Sequence, residues 1–181
     1  MPEPTCRLFV GLVPDEATRA ALLAWRARWA WPRGTALSAP AHAHLTLSFL
    51  GEIDAARLPA LRAALDTVAV APFTLRLGRP EAWHHGLVVL RPDPCEALDA
   101  LQGRVTAALR SAGFPAGEAR WKPHLTLARK APGAQPPAVP PDIDWPVRGF
   151  ALVWSRLPPQ VPVARYERVA AWGEVPPIPG R

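Results

Sequence analysis

A fold of mixed strands and helices, assembled from one unit written twice, is what this sequence predicts, and three observations carry that expectation. Apolar residues recur at strand spacing in some stretches and at helical spacing in others. The tetrapeptide HLTL occurs at 44–47 and again at 124–127. Each copy closes the same succession of strand, proline–aspartate turn, helix and strand. The length of 181 residues suits one domain, or two small lobes sharing a core. An apolar fraction of 49% and a charged fraction of 20% exclude a disordered chain, which needs less hydrophobicity and more net charge.

The elements follow in order. Arg7–Leu12 (RLFVGL) reads as a strand stopped before Pro14. Asp15 suits an N-cap, and Glu16–Trp29 carries Ala20, Leu23 and Ala27 at helical spacing, ended by Pro32 and Gly34. His44–Leu50 is a strand closed by Gly51. Asp54 caps a helix reaching Val68, with Leu58, Leu61 and Leu65 on one stripe and Pro59 in its first turn. Phe73–Leu77 and Gly86–Leu90 read as short strands around a loop at 78–85. Asp93 or Pro94 opens a helix to Ser111, ended by Gly113 and Pro115. His124–Ala128 is the next strand, and Ala131–Pro146 reads as a proline-rich loop. Phe150–Leu157 and Tyr166–Trp172 are the final strands.

His44 and His124 stand 80 positions apart, and Leu8 and Leu87 stand 79 apart. A recurring tetrapeptide means little in a leucine-rich chain; the same tetrapeptide closing the same unit indicates duplication. Two such units packed about a pseudo-twofold axis bring the histidines to equivalent places across one cleft. Side chains alternate along a strand, so Leu45 and Leu47 face a core while His44 and Thr46 face the other way. Leu125 and Leu127 against His124 and Thr126 repeat the pattern. One neutral histidine can serve as general base and one protonated histidine as general acid. The threonine hydroxyls suit the non-bridging oxygens of a phosphate. In-line attack on a phosphodiester needs a base and an acid on opposite sides of phosphorus, and a twofold pair of histidines supplies both.

RLFVGL at the start, HLTLSFLG at 44–51, WKPHLTLAR at 121–129 and the late FALVWSRL resemble the two-histidine (2H) phosphoesterase superfamily. The likeness is closest to the RNA 2',3'-cyclic phosphodiesterases, also called 2'-5' RNA ligases, and spans Arg7 to Trp172. The resemblance implies an α+β fold: a bilobal, pseudo-twofold duplicated unit with two mainly antiparallel sheets, outer helices and a central cleft. It would occupy residues 1–175 as one domain, with repeat units near 7–51 and 86–130 and a loose tail at 176–181. It also implies metal-independent opening of 2',3'-cyclic phosphates to 2'-phosphates without a cofactor, with reversible 2'-5' ligation in some members. The partners implied are RNA 2',3'-cyclic phosphate ends or small cyclic nucleotides.

By position, His44 and Thr46 match the first motif of that family, and His124 and Thr126 the second. The resemblance gives His124 as base for water and His44 as acid for the departing 3' oxygen. It also gives Arg129 a place near the phosphate. Strict alternation sets Arg129 opposite His124 and Thr126, so it reaches the phosphate only if the strand twists or bulges. The segment LSAPAHA at 37–43 lacks the aromatic and Asn-type residues often found before the first motif.

Phe9 shares a face with Arg7 and could stack on a nucleobase, or pack under a helix. Lys122 alternates onto the face of His124 and could add charge there. Trp121 is another candidate to stack on a base, though its parity sets it toward the core, and His84 and His85 fall in the 78–85 loop. His42 and His44, joined by His84, His85 and His124, make a rival His-ligated metal site, without a carboxylate or cysteine at ligand spacing. A non-catalytic RNA-binding module is a second rival, though no RNP-type motif supports it. The net charge of +6, almost all from arginine, fits an anionic partner as well as genomic base bias. No stretch reaches the roughly 20 apolar residues of a membrane span, and MPEPTCRLFVGLVPDE lacks signal-peptide character. Cys6 and Cys95 read as free thiols, and a cytoplasmic monomer is expected.

Overall fold

The computed structural model describes residues 5–117 and 120–179. Met1–Pro4, part of the start read for signal character, lie outside the described residues, as do Glu118, Ala119 and, at the end of the expected loose tail, Gly180 and Arg181. Among the described residues the order is β1 (Thr5–Leu12), α1 (Glu16–Arg26), β2 (Ala36–Leu37), β3 (Leu45–Asp54), α2 (Leu58–Asp66), β4 (Phe73–Trp83), β5 (Leu87–Pro92), α3 (Glu96–Ser111), β6 (Leu125–Arg129), β7 (Ile143–Arg156) and β8 (Arg165–Glu174).

The strand pairings are antiparallel, and β7 joins two lobes. Its first residues, Ile143–Val147, pair with β4 and belong to the lobe ordered β2–β6–β5–β4. Its later residues pair with β1 and β8, in the lobe ordered β3–β1–β7–β8. The helices bury one apolar stripe each. Leu61 and Leu65 of α2, and Leu98, Leu101, Val105 and Leu109 of α3, are at most 1% exposed. Burying each such side chain contributes roughly 1.5–3 kcal/mol. Phe9, Val13, Ala151 and Val153 form a separate small cluster, packed against Tyr166, Val175 and Ile178. Ile178 lies in the stretch expected to be loose, and it is held by that cluster.

Asp15 caps α1 as expected: its Oδ1 accepts the Thr18 N–H at 2.7 Å. Asp54 caps a short 3-10 turn, Ala55–Arg57, and α2 starts only at Leu58. Asp93 does not cap α3, which begins at Glu96 after Cys95; the Asp93 N–H donates instead to the Arg76 carbonyl. The expected loop at 78–85 is mostly strand, because β4 bulges at Gly78 and then continues to Trp83 beside β5. Gly78 and Pro80 disguise it in the sequence: one weakens strand propensity and the other lacks an N–H. The expected proline-rich loop likewise ends early, since Ile143, Trp145 and Val147 alternate into the core as β7.

The two motif strands share one irregularity of register. In the first lobe Val10 faces Ser48 and Gly11 faces Thr46, which leaves Leu47 as an extra residue. In the second, Val88 faces Ala128 and Val89 faces Thr126, which leaves Leu127 extra. The same bulge therefore interrupts both HLTL strands. This register matches β1 to β5 at a separation of 78 positions, so the sequence pairing of Leu8 with Leu87 is one residue out of step. At Gly11 an added Cβ would lie 2.8 Å from the Leu45 carbonyl oxygen, so only glycine lets β1 approach the first bulge this closely.

Each lobe also sends the segment before its motif across to the other. The Trp121 indole N–H donates to the Thr46 carbonyl at 3.0 Å, and the Gly117 N–H donates to Ser48 Oγ at 3.3 Å. Reciprocally, the Ser38 N–H donates to the Leu127 carbonyl at 3.0 Å, and β2 pairs with β6.

Candidate active site

Both histidines stand at the entrance of their motif strands and are fixed in the same way. His44 Nδ1 lies 2.6 Å from the His42 carbonyl, and His124 Nδ1 lies 2.8 Å from the Lys122 carbonyl. A carbonyl only accepts, so each Nδ1 carries a hydrogen and donates it. That leaves each Nε2 with the lone pair or second proton that acid–base chemistry needs.

Their surroundings differ. His44 is packed against Phe9, with ring centroids 4.6 Å apart, and against the edge of Tyr166 at 5.1 Å. His42 lies 4.7 Å from the same tyrosine. Burial pushes the His44 pKa down to about 4, assisted by the positive charges of His124, His42 and Arg129 and opposed by the bond to the His42 carbonyl. The influence of His124 and Arg129 on His44 places groups from both lobes in one electrostatic neighbourhood. In the free protein His44 is therefore neutral at pH 7.

His124 is the more open of the two. Trp83 packs edge-on to it at 4.7 Å, and Thr46, Phe49, Trp121 and Lys122 line a small cavity with it. Thr46 of the first motif thus lies with the histidine of the second. Thr126, partly exposed like Thr46, lines another cavity with Ala43, the residue before His44. Lys122 is exposed, with its ammonium group 5.8 Å from the Trp83 ring centroid.

The bulge decides where Arg129 points. Leu127 and Ala128 are both buried in succession, so the alternation skips a step and Arg129 emerges on the side of Thr126. Its charge then acts on His44 and also lowers the pKa of Tyr166 against the dominant upward push of burial. The same skip in the first lobe, with Leu47 and Ser48 buried, brings out Phe49, which is 44% exposed and carries the Arg7 guanidinium 4.7 Å over its ring. Phe9 is only 4% exposed, so it packs the His44 ring rather than offering a free face to a base. Trp121 is partly buried and braces the lobe contact described above. Among the described residues no three His, Cys, Asp or Glu side chains gather as a metal would need, and His84 and His85 lie 6.5 Å apart on a turn after β4.

Sequence reasoning missed Tyr166, Trp83, Phe49 and Arg7 as parts of this region. Only Phe49 left a usable signal: it holds the place in the first copy that Arg129 holds in the second.

Two lobes of antiparallel sheet, each presenting a histidine and a threonine from a bulged strand, define a phosphoesterase architecture. A solved phosphoesterase structure superposes with a TM-score of 0.81 at 26% identity, over 95% of this chain and 99% of that one. More narrowly, the chain belongs to the 2'-5' RNA ligase superfamily, whose family model matches residues 14–158. A relative from Thermus thermophilus, an RNA 2',3'-cyclic phosphodiesterase, is 35% identical over 174 residues, covering 87% of this chain and 85% of that protein. The Escherichia coli protein of the same description is 31% identical over 148 residues, 80% of this chain and 82% of that one. The structure of Escherichia coli LigT in its apo form matches with a TM-score of 0.81 at 26% identity, over 93% of this chain and 97% of that chain. LigT complexed with 3'-AMP matches at 0.79 and 27%, over 94% and 98%.

Proposed function

We propose that this protein opens RNA or nucleoside 2',3'-cyclic phosphates to 2'-phosphates with a two-histidine acid–base pair, and that it also runs the related 2'-5' ligation in reverse and forward. The observation that carries the reading is the matched fixing of His44 and His124 by carbonyls two residues upstream, with Arg129 turned toward the same cleft. The activity named for the relatives, and the nucleotide bound by LigT, support the same substrate class.

The steps balance without a cofactor. His124 Nε2 takes a proton from water as the water oxygen attacks phosphorus. The bond from phosphorus to the 3' oxygen breaks on the opposite side, and His44 Nε2 donates its proton to that oxygen. Arg129, Thr46 and Thr126 hold the non-bridging oxygens, and Lys122 adds positive charge at the open rim. His44 is neutral in the free protein, so its proton must arrive with the substrate: the phosphodiester anion offsets the burial, and after it the cationic neighbours, that disfavour a charged imidazole.

Two measurements test this. Adenosine 2',3'-cyclic phosphate should be converted to the 2'-phosphate in excess EDTA; turnover that stops with EDTA would support a metal site, and binding without turnover an RNA-binding module. Binding of 2'-AMP at pH 7, followed by calorimetry in buffers of different ionisation enthalpy, should take up close to one proton. No uptake would reverse the roles and make His44 the base.

A further inference from the structure

Beside His124 lies a groove of about 610 Å³ lined by Ala82, Trp83, His84, Leu87 and Lys122. Trp83 is held in one orientation by a chain of charged contacts. Its indole N–H donates to Glu81 Oε2 at 2.7 Å, and Glu81 Oε1 accepts from Arg91 at 3.0 Å. Arg91 in turn donates to the carbonyl of Pro123, the residue before His124, at 3.3 Å. Burial works to raise the Glu81 pKa, but the bonds from Trp83 and Arg91 outweigh it and keep the carboxylate charged. The turn at the far wall is equally fixed: His85 has φ 60°, the Gly86 carbonyl accepts the Ala131 N–H at 2.9 Å, and a Cβ on Gly86 would meet that nitrogen at 2.7 Å. Activating a water molecule needs none of this.

In-line geometry says what the groove is for. Nucleophile and leaving group lie on opposite sides of phosphorus, so whatever enters beside the base His124 arrives with the nucleophile. We propose that the groove is the subsite for a second nucleoside, one that presents a 5'-hydroxyl to His124 with its base stacked on Trp83. Lys122 then faces the phosphate that follows this nucleoside in an RNA strand. The 5' oxygen bonds to phosphorus as the bond to the 3' oxygen breaks. His124 takes the 5'-hydroxyl proton, and His44 gives its proton to the 3' oxygen. The product is a 2'-5' phosphodiester, and the same groups cleave it in reverse. The assignment rests on the function proposed above, with His124 as base.

The test compares adenosine 2',3'-cyclic phosphate, which leaves the groove empty, with a 2',5'-linked adenylyl-adenosine, which fills it. Trp83→Ala should lower kcat/KM for the dinucleotide roughly tenfold more than for the cyclic phosphate, chiefly through KM, as expected for loss of one base–aromatic stack. Trp83→Phe should keep the ratio within about threefold of the wild type, because an aromatic face remains. Equal losses on both substrates would make Trp83 a positioning residue for His124 and overturn the subsite. A wild-type protein that hydrolyses the cyclic phosphate but neither cleaves the dinucleotide nor binds it more tightly than 2'-AMP would also overturn it. One that turns over neither would overturn the reading beneath it.

Discussion

The two lobes present the same motif in opposite settings. His44 is enclosed by Phe9, Tyr166 and His42 and feels the charge of Arg129 from across the cleft. His124, half-buried, has Trp83 at one side and the cavity of Thr46 and Phe49 at another. At the position five residues after each histidine, the second copy has arginine and the first has phenylalanine. The two motifs offer equivalent nitrogens, and the enclosure around His44 lowers its proton affinity.

Removing either histidine is the severest way to break the comparison. His44→Ala and His124→Ala should each lower kcat/KM on a 2',3'-cyclic nucleotide by roughly 10²–10⁴, the usual range for a lost acid or base. A steady-state assay showing near wild-type rates in either variant would remove that histidine from the mechanism.

Arg129→Met removes the charge that crosses the cleft while keeping a long side chain. The loss of a charge-assisted phosphate contact should cost about 1.5–3 kcal/mol in kcat/KM, or roughly ten- to a hundred-fold. Because Arg129 helps hold the His44 pKa down, the variant should also titrate His44 at higher pH, as read by NMR of the imidazole. An unmoved titration would show that burial and the neighbouring histidines set the value without Arg129.

The enclosure of His44 should appear in the stability of the whole protein. Unfolded, this histidine takes up a proton below about pH 6.5; folded, only below about 4. Between those values the unfolded chain binds the extra proton, so stability falls as the pH drops through this window and is independent of His44 above it. The loss is at most on the order of 3 kcal/mol. Denaturant unfolding of His44→Gln should show a shallower acid slope than the wild type, and equal slopes would place the effect elsewhere.

The smallest effect belongs outside the cleft. Asp15→Ala removes the cap of α1 and should cost about 1 kcal/mol of stability with cyclic phosphate turnover unchanged. A fall in turnover would mean that α1 and the motif strands are more tightly coupled than their separate contacts indicate.

Much of this was legible in the chain. The doubled HLTL, the alternation of Leu45 and Leu47 against His44 and Thr46, and the Asp15 cap are local patterns, and local patterns survive as sequence. Trp83 was not legible, because Gly78 and Pro80 made its strand look like a loop. Arg129 was half legible: its place after the motif was plain, but the side of the sheet it occupies depended on a bulge at Leu127. Phe9 read equally as a stacking face or as packing, because nothing local shows that Tyr166, far along the chain, covers it.

The sequence by itself determined that one strand–helix–strand unit occurs twice, each copy carrying an imidazole and a hydroxyl on one strand face, with 21 basic residues against 15 acidic. Periodicity and repetition are properties of neighbours in the chain. The tertiary structure alone decided that the copies register at 78 and 80 positions, that a bulge turns Arg129 toward His44, and that His44 is enclosed by Phe9 and Tyr166. Those features depend on which distant strands meet and how much water they exclude, and no local pattern encodes either.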